Sequence, residues 1–542
     1  MKRKVYLVMA VALLIPSAFA KHPKIADDLD TSNEGMVDVI VQFKSPPAAR
    51  SHASFAKSRG KLRSELGAAR AALYSVSASA LEDLANDPDV AFITPDRIVE
   101  GALDVAVKTV YANTAQANGF TGSGVGVAVI DSGVQAEPGE LNVVYSQSFV
   151  AGQSSAKDYY GHGTHVAAII AGSGAVSGAK YKGIAPGAKI INLRVLDGNN
   201  RGTDSAVIAA IGRAIQLKTT YNIRVINLSL GRPIQGRYAT DPLCVAVEDA
   251  WKAGIVVVVA AGNDGRNNSN NTQGYGTISS PGNDPYVITV GAMKSLGTAS
   301  RSDDRIASYS SKGPTLLDHV VKPDLIAPGN RIVSAKLVAD SPMENQYRGN
   351  QVDEEYFRLS GTSMAAPMVS GAVALMLQKS PSLTPDIVKA RLMRSATKPS
   401  AFPLYSASTD PVTGVAYSAR HDIFSMGAGY LDVWAALNDS STAAAGKRAL
   451  SPTAVRNSVT GVVSLSVLWG DSVLWGDSVL WGDSYIWGSA AFVSGSSVLW
   501  GDSVVWNSKL AAGNSVLWGD SVLWGNTIVQ GEGIAIAING EN

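Results

Sequence analysis

Short apolar runs separated by amphipathic stretches fill the middle of this chain. The runs Gly126–Ile130, Lys189–Val195, Val225–Leu230, Ile255–Ala261 and Tyr286–Val290 are rich in valine and isoleucine, with little polar alternation. Strands buried on both faces read this way, as in a parallel sheet covered by helices. Between them, Asp204–Leu217 and Val245–Lys252 carry apolar residues at helical spacing. From Ala106 to Asn438 the pattern therefore predicts an α/β fold, a doubly wound parallel sheet with helices on both faces. In such sheets, functional residues gather at the carboxyl ends of strands.

The flanks follow different patterns. Residues 21–105 predict a small α+β unit: Val37–Phe43 alternates as a strand, Ala49–Ala72 has helical composition, and Val90–Ile93 is a strand closed by Pro95. Ser79 and Glu82 stand at capping-box spacing around Leu81 and Leu84. After a linker over 439–465, the hexad Ser-Val-Leu-Trp-Gly-Asp begins at Ser466 and recurs, with one insertion near 490–496, in eleven frames to 532. An extended strand would place its tryptophans on one face, and Gly-Asp supplies a turn every six residues. A β-rich tail over 466–542, stacked as a solenoid, is the expectation.

Composition sharpens this division. Of 542 residues, 46 are basic and 45 acidic, for a formal net charge of +1. That balance argues against a nucleic-acid partner, whose binding surface is strongly basic. One cysteine, Cys244, excludes an internal disulfide framework and a multi-cysteine zinc site. Residues 1–20 read as a signal peptide: Lys2, Arg3 and Lys4, then an apolar run Val5–Ile15, then Ala18-Phe19-Ala20. That run is too short to span a bilayer, so export without an integral membrane span is expected. Eight of the ten tryptophans lie between Trp469 and Trp524, which marks the tail as a different kind of segment.

Three segments carry candidate chemistry. Val127-Ala128-Val129-Ile130-Asp131-Ser132-Gly133 delivers a carboxylate at a strand end, Gly161-His162-Gly163-Thr164-His165 opens a helix with a histidine, and Ser360-Gly361-Thr362-Ser363-Met364-Ala365 opens another with a serine. A serine hydroxyl needs a neutral imidazole to take its proton, and the imidazole needs a carboxylate to fix its tautomer. Ala260-Ala261-Gly262-Asn263 ends a fourth apolar strand in a side-chain amide, a donor suited to an oxyanion. His162 and His165 also stand at a metal-pair spacing, but no carboxylate completes a ligand set, and His165 reads as a packed helix residue. Cys244 reads as a buried helix residue, and Asp158 as a group that caps or orients the turn before His162.

On these motifs the chain, over residues 36–438, resembles the subtilisin-like serine proteases of the subtilase family. The order Asp131…His162…Ser363 is the subtilisin order and differs from that of α/β-hydrolases and chymotrypsin. The resemblance implies a subtilisin-like fold, with Ser363 as nucleophile, His162 as general base and acid, Asp131 as orienting carboxylate and Asn263 as oxyanion donor. It likewise implies that Ser229-Leu230-Gly231 pairs with substrate backbone while Ala260, Ala261 and Gly262 form the opposite wall of the first specificity pocket. Residues 21–105 then correspond to an inhibitory propeptide, processed between Glu100 and Asn113. The expectation is a secreted, monomeric, autoprocessed endopeptidase whose partners are polypeptide substrates and its own propeptide. No cofactor is needed for the chemistry. A structural calcium ion is left open, because Gly172–Lys182 lacks the family's evident ligands. The competing expectation is a catalytically silent scaffold that binds through its tryptophan repeat.

Overall fold

The computed structural model describes residues 22–26, 29, 35–45, 60–66, 71–95 and 102–456, the last apart from 268–273, 337–340, 399–401, 403–404, 410–415 and 442–447. Beyond these it describes 463–466, 497–498, 515–516, 528–531 and Glu541. The signal sequence and most hexads lie outside the described residues. Two compact units divide the chain between Val99 and Glu100.

In the first unit four antiparallel strands stand in the order β2-β3-β1-β4: β1 (Met36–Phe43), β2 (Lys61–Leu66), β3 (Ala71–Ser77) and β4 (Val90–Pro95). One face packs Val39, Val41, Tyr74 and Val76 against Leu81 and Leu84 of a short helix, α1 (Leu81–Ala85). The helical reading of Ala49–Ala72 fails where the structure describes that stretch. Lys61–Leu66 and Ala71–Ala72 are strand, because β3 pairs with both β1 and β2 and its alternate residues fill this small core. The capping box is not formed either. Ala80 precedes the helix without a side-chain cap, and the Ser79 hydroxyl meets that of Ser77 at 2.8 Å.

The second unit opens with α2 (Ala102–Thr109), whose Ala106 and Val107 lie in the large core. Its central strands are β5 (Gly126–Asp131), β6 (Val143–Ser148), β7 (Lys189–Arg194), β9 (Ile223–Leu228) and β11 (Val256–Ala260), after which come β12 (Ile288–Lys294), β13 (Arg305–Ile306) and β14 (Leu325–Pro328). The sheet order is β13-β12-β11-β9-β5-β7-β6, with β14 also on β12, and every pairing is parallel except that of β13. β5 and β11 are buried at every position, as continuous apolar runs under two helical layers require. The expected strands and the helices α4 (Asp204–Gln216) and α5 (Pro242–Lys252) form within a few residues of their sequence limits. Two further helices are buried almost all round: α3 (His162–Ala171) along its whole length, and α6 (Thr362–Lys379) at sixteen of its eighteen residues. Among the described residues no helix is long and apolar enough to cross a membrane.

Outside the large sheet lie two short strands, β8 (Arg201–Thr203) and β10 (Leu230–Gly231). A short antiparallel pair joins β15 (Ile332–Ala335) to β16 (Tyr356–Leu359).

Under the sheet lies a buried charge cluster. Asp324, before β14, meets Lys322 at 2.7 Å and Lys389 at 3.2 Å, and all three are excluded from solvent. Burial alone would raise the Asp324 carboxyl, but the two ammonium groups hold it below the usual carboxylate range. Lys389, pushed down by burial to about 7, also donates to the carbonyls of Pro285 and Val287 and to the Ser451 hydroxyl at 2.9 Å. Ser451, within the stretch expected as linker, in turn donates to Asp324 at 2.5 Å. Its neighbours follow it onto the core: Pro452 accepts from Val321 N–H at 2.8 Å, and Ala454 N–H donates to His319 at 2.9 Å. Removing one member of such a cluster leaves buried charge without its counter-charge. Asp324→Asn is therefore expected to destabilise the fold by about 3–5 kcal/mol in urea unfolding, and a loss under 1 kcal/mol would contradict this account.

Candidate active site

Parallel strands bring their carboxyl ends to one edge, and the candidate residues lie there. β11, β9 and β5 are neighbours; β5 ends at Asp131, β9 leads into Ser229, and β11 leads into Ala261, Gly262 and Asn263. Two helices begin at the other candidates, α3 with His162 and α6 with Thr362-Ser363, and these helices pack on one another.

Asp131 and His162 meet directly, Oδ1 to Nδ1 at 2.8 Å, both side chains nearly excluded from solvent. A carboxylate can only accept, so Nδ1 carries the proton and Nε2 keeps its lone pair. The contact needs the helix to come very close to the strand end. Gly163 allows this, since a Cβ there would stand 2.3 Å from the Gly133 carbonyl oxygen and 3.1 Å from Asp131 Cβ. Ser132 ties the two elements together, accepting from Gly163 N–H at 2.9 Å and donating to Asp158 at 2.9 Å. The Asp158 carboxylate further collects the N–H groups of Tyr160, Gly161 and Thr164 and the Thr164 hydroxyl. It thus holds the turn ahead of His162 and takes one first-turn donor of α3, Thr164 N–H, while Ser132 takes that of Gly163.

Ser363 is buried in the first turn of α6, and its hydroxyl donates to the Ser229 carbonyl at 3.3 Å. Its own carbonyl would normally accept from the residue four positions on, which is Pro367 and has no N–H. The Ser229 hydroxyl takes that place at 2.9 Å. Asn227 positions Ser229 from below, donating to its hydroxyl at 3.0 Å while accepting from Ser370 at 2.8 Å. A helix-breaking residue inside a helix thus fastens the serine turn to the edge segment beside it.

Thr362 fixes the other wall. Its N–H donates to Asn263 Oδ1 at 2.9 Å, and its hydroxyl accepts from Gly262 N–H at 3.1 Å. Because a backbone N–H faces Oδ1, the Asn263 amide must present Nδ2 on its other side, where no hydrogen-bond partner meets it. Gly361 sits at φ +152°, and a Cβ there would touch the Asn263 amide. The Ser229–Gly231 segment and the Ala260–Gly262 segment are therefore each bonded to the 362–363 turn from a different strand. Sequence reasoning passed over Thr362 and Pro367; a proline inside a helical pattern was the one signal available for either.

The remaining candidates have structural partners. His165 Nε2 lies 3.1 Å from the Phe357 carbonyl, and full burial pushes its pKa down to about 3. With His162 on Asp131 and His165 on Phe357, the two rings do not form a metal pair. Cys244 is buried in α5, its thiol 3.3 Å from Asn283, and burial drives its pKa well up. In the 172–182 loop, Gly174 N–H donates to the buried Glu140 carboxylate at 3.2 Å, and Ala175 N–H donates to the Ser173 hydroxyl at 3.0 Å. Among the described residues no group of three or more His, Cys, Asp or Glu side chains could hold a metal ion.

The chain is similar to known proteins over much of its length. The model of the subtilase family matches residues 122–410. Serine protease AprX of Bacillus subtilis (strain 168) is 39% identical over 354 residues, 63% of this chain and 77% of that protein. Subtilisin E of the same strain is 33% identical over 399 residues, 72% of this chain and 92% of the relative. The crystal structure of a cold-adapted subtilisin-like serine proteinase shares 32% identity over 52% of this chain and 84% of its own, with a TM-score of 0.39.

His165 gives a pH test of the packing behind the site. The folded state holds this ring neutral down to about pH 3, whereas the unfolded chain protonates it near 6.5. Below pH 6.5 the unfolded state binds the extra proton, so stability is complete above that pH and falls as the pH drops. His165→Gln, which can still donate to Phe357, removes this term. Between pH 6.5 and 4.5 the wild type is expected to lose about 2–3 kcal/mol more than the variant, measured by urea unfolding at each pH. Parallel profiles would refute it.

Proposed function

The chain belongs to the subtilase family and is a serine endopeptidase, and from that premise we propose how its residues divide the work of cutting a peptide bond. Ser363 is the nucleophile. His162 Nε2 takes the hydroxyl proton as Ser363 Oγ attacks the scissile carbonyl, while Asp131 holds Nδ1–H and stabilises the imidazolium that forms. The developing oxyanion receives Asn263 Nδ2–H and the Ser363 backbone N–H. Collapse expels the amine, which takes its proton from His162, and leaves an acyl-enzyme on Ser363. Water then repeats the sequence with His162 again as base. The observation that carries this reading is the buried 2.8 Å pairing of Asp131 with His162 on the same sheet edge as a turned-out Asn263 amide.

Substrate polypeptide lies extended along Ser229, Leu230 and Gly231, its backbone adding a strand, with Ala260, Ala261 and Gly262 facing its side chain across the first pocket. No cofactor takes part in the chemistry.

In this reading residues 1–20 direct export and are removed, and 21–105 act as inhibitor and folding partner until the enzyme cuts itself free. Ala106 and Val107 of α2 belong to the large core, which supports a cut ahead of Ala106. The mature enzyme is a secreted monomer without nucleic-acid partners. For the tail, Ser497-Val498 pairs parallel and in register with Ser515-Val516, eighteen residues or three hexads along. That offset supports a solenoid with three hexads per coil. The alternative of a silent scaffold is not favoured by the kinship with active proteases.

Wild-type protein is expected to react with a fluorophosphonate probe and Ser363→Ala is not, the variant remaining an unprocessed precursor in a protease-free host. An unlabelled wild type still joined to residues 21–105 would sink this reading. Asn263→Ala is expected to lower kcat by ~10²–10³ at nearly constant KM, the magnitude established for loss of the corresponding amide donor in subtilisin.

A further inference from the structure

Between β8 and β10 lies a strand from the chain's own C-terminal segment. A strand far along the sequence, β17 (Ile528–Gly531), lies between them and is antiparallel to both. On one side Gly231 faces Gln530 and Leu230 faces Gly531; on the other, Thr203 faces Ile528, Gly202 faces Val529 and Arg201 faces Gln530. Without β17, both flanking segments would present unpaired backbone groups, which is how a groove recognises an extended peptide. The direction of β17 matters. It runs antiparallel to β10, so it heads from Gly231 past Leu230 towards Ser229, whose carbonyl accepts the Ser363 hydroxyl.

A second contact holds the same segment from its far end. Glu541, next to the C-terminus, is 1% exposed. Its carboxylate meets Arg266 at 2.7 Å and Lys294 at 3.4 Å, accepts from Ser308 N–H at 2.8 Å and is bonded by the Ser308 hydroxyl. The side-chain amide of Asn330 then pairs with the main chain of Glu541 in both directions, donating to its carbonyl at 2.8 Å and accepting from its N–H at 3.0 Å. Lys294 and Asn330 are almost fully buried, so this is a formed receptor for one carboxylate-bearing residue and its backbone. Asn330 follows Gly329, whose carbonyl accepts Gly361 N–H at 2.8 Å. Each docking point is therefore one residue away from a bond to the 361–363 turn.

We propose that the C-terminal segment is a resident occupant of the enzyme's own substrate groove, with Ile528–Gly531 lying where an extended substrate lies and Glu541 latching it. The inference rests on the protease reading above, since it takes the β10 edge to be the substrate edge. Being in the same chain, the segment competes at an effective concentration of order mM. Any polypeptide entering the groove must displace it, so the latch sets how readily the site opens to substrate.

Two variants outside the catalytic machinery test this in the processed, full-length protein. Glu541→Ala empties the receptor, and Val529→Pro removes an N–H from the middle of β17 and stiffens it against pairing. A competitor in cis raises KM without changing kcat. Each variant is therefore expected to lower KM for a short chromogenic peptide by about tenfold or more at constant kcat, and to speed fluorophosphonate labelling of Ser363 by the same factor. Hydrogen exchange at Arg201–Thr203 and Leu230–Gly231 is expected to be slow in the wild type and fast in both variants. Equal KM, labelling and exchange in all three proteins would overturn the proposal and leave the protease reading intact. No labelling in any of them, with slow exchange in the wild type alone, would overturn the protease reading while still showing that the segment occupies the groove.

Discussion

A parallel sheet puts every strand's carboxyl end on one edge, and the rest of this active site depends on that constraint. β11, β9 and β5 stand side by side, so Asn263, Ser229 and Asp131 reach the same edge from segments more than thirty residues apart. α3 and α6 carry scarcely any polar face, so they pack as buried helices and bring His162 and Ser363 to the site in their first turns. The assembly of the site follows from burying two apolar helices against one sheet.

Within that frame, selectivity comes from committing the unwanted half of each polar group. Asn263 has its oxygen bound by Thr362 and is left with an N–H to offer. His162 has Nδ1 bound by Asp131 and is left with a lone pair on Nε2. The Ser363 carbonyl, which Pro367 cannot satisfy, is taken by Ser229 and draws the edge segment onto the serine turn. In a low-dielectric setting such prior commitment means little reorganisation when charge develops.

Much of this was legible in the sequence because it is local. The all-apolar run Val256–Ala260 can be little else than a central strand, and Asp131, His162 and Ser363 each sit in a motif of glycines and small residues that serves a close approach. What escaped was non-local. β2 lies inside the Ala49–Ala72 stretch that reads as helical until β3 is there to pair with it. Ser79 carries a capping signature, but its hydroxyl pairs with that of Ser77 and the helix starts one residue later. The bonds of Thr362 to Asn263 and of Ser229 to Ser363 join residues 99 and 134 positions apart, and no single segment advertises them. The pairing of β17 with β8 and β10 is the extreme case, since nothing in Ile528–Gly531 itself names its partners.

Ser451 bears on how such proteins exchange parts. Its hydroxyl sits between the carboxylate of Asp324 and the ammonium of Lys389, beneath the sheet, and the backbone of Pro452 and Ala454 is laced to Val321 and His319. The apparent spacer between enzyme and repeat is in part a plug in the enzyme's floor. A recombination joint near Asn438 would pull that plug, whereas one beyond Arg456 would leave the floor sealed. Lineages that trade one tail for another should therefore inherit Ser451, Pro452 and Ala454 along with the protease.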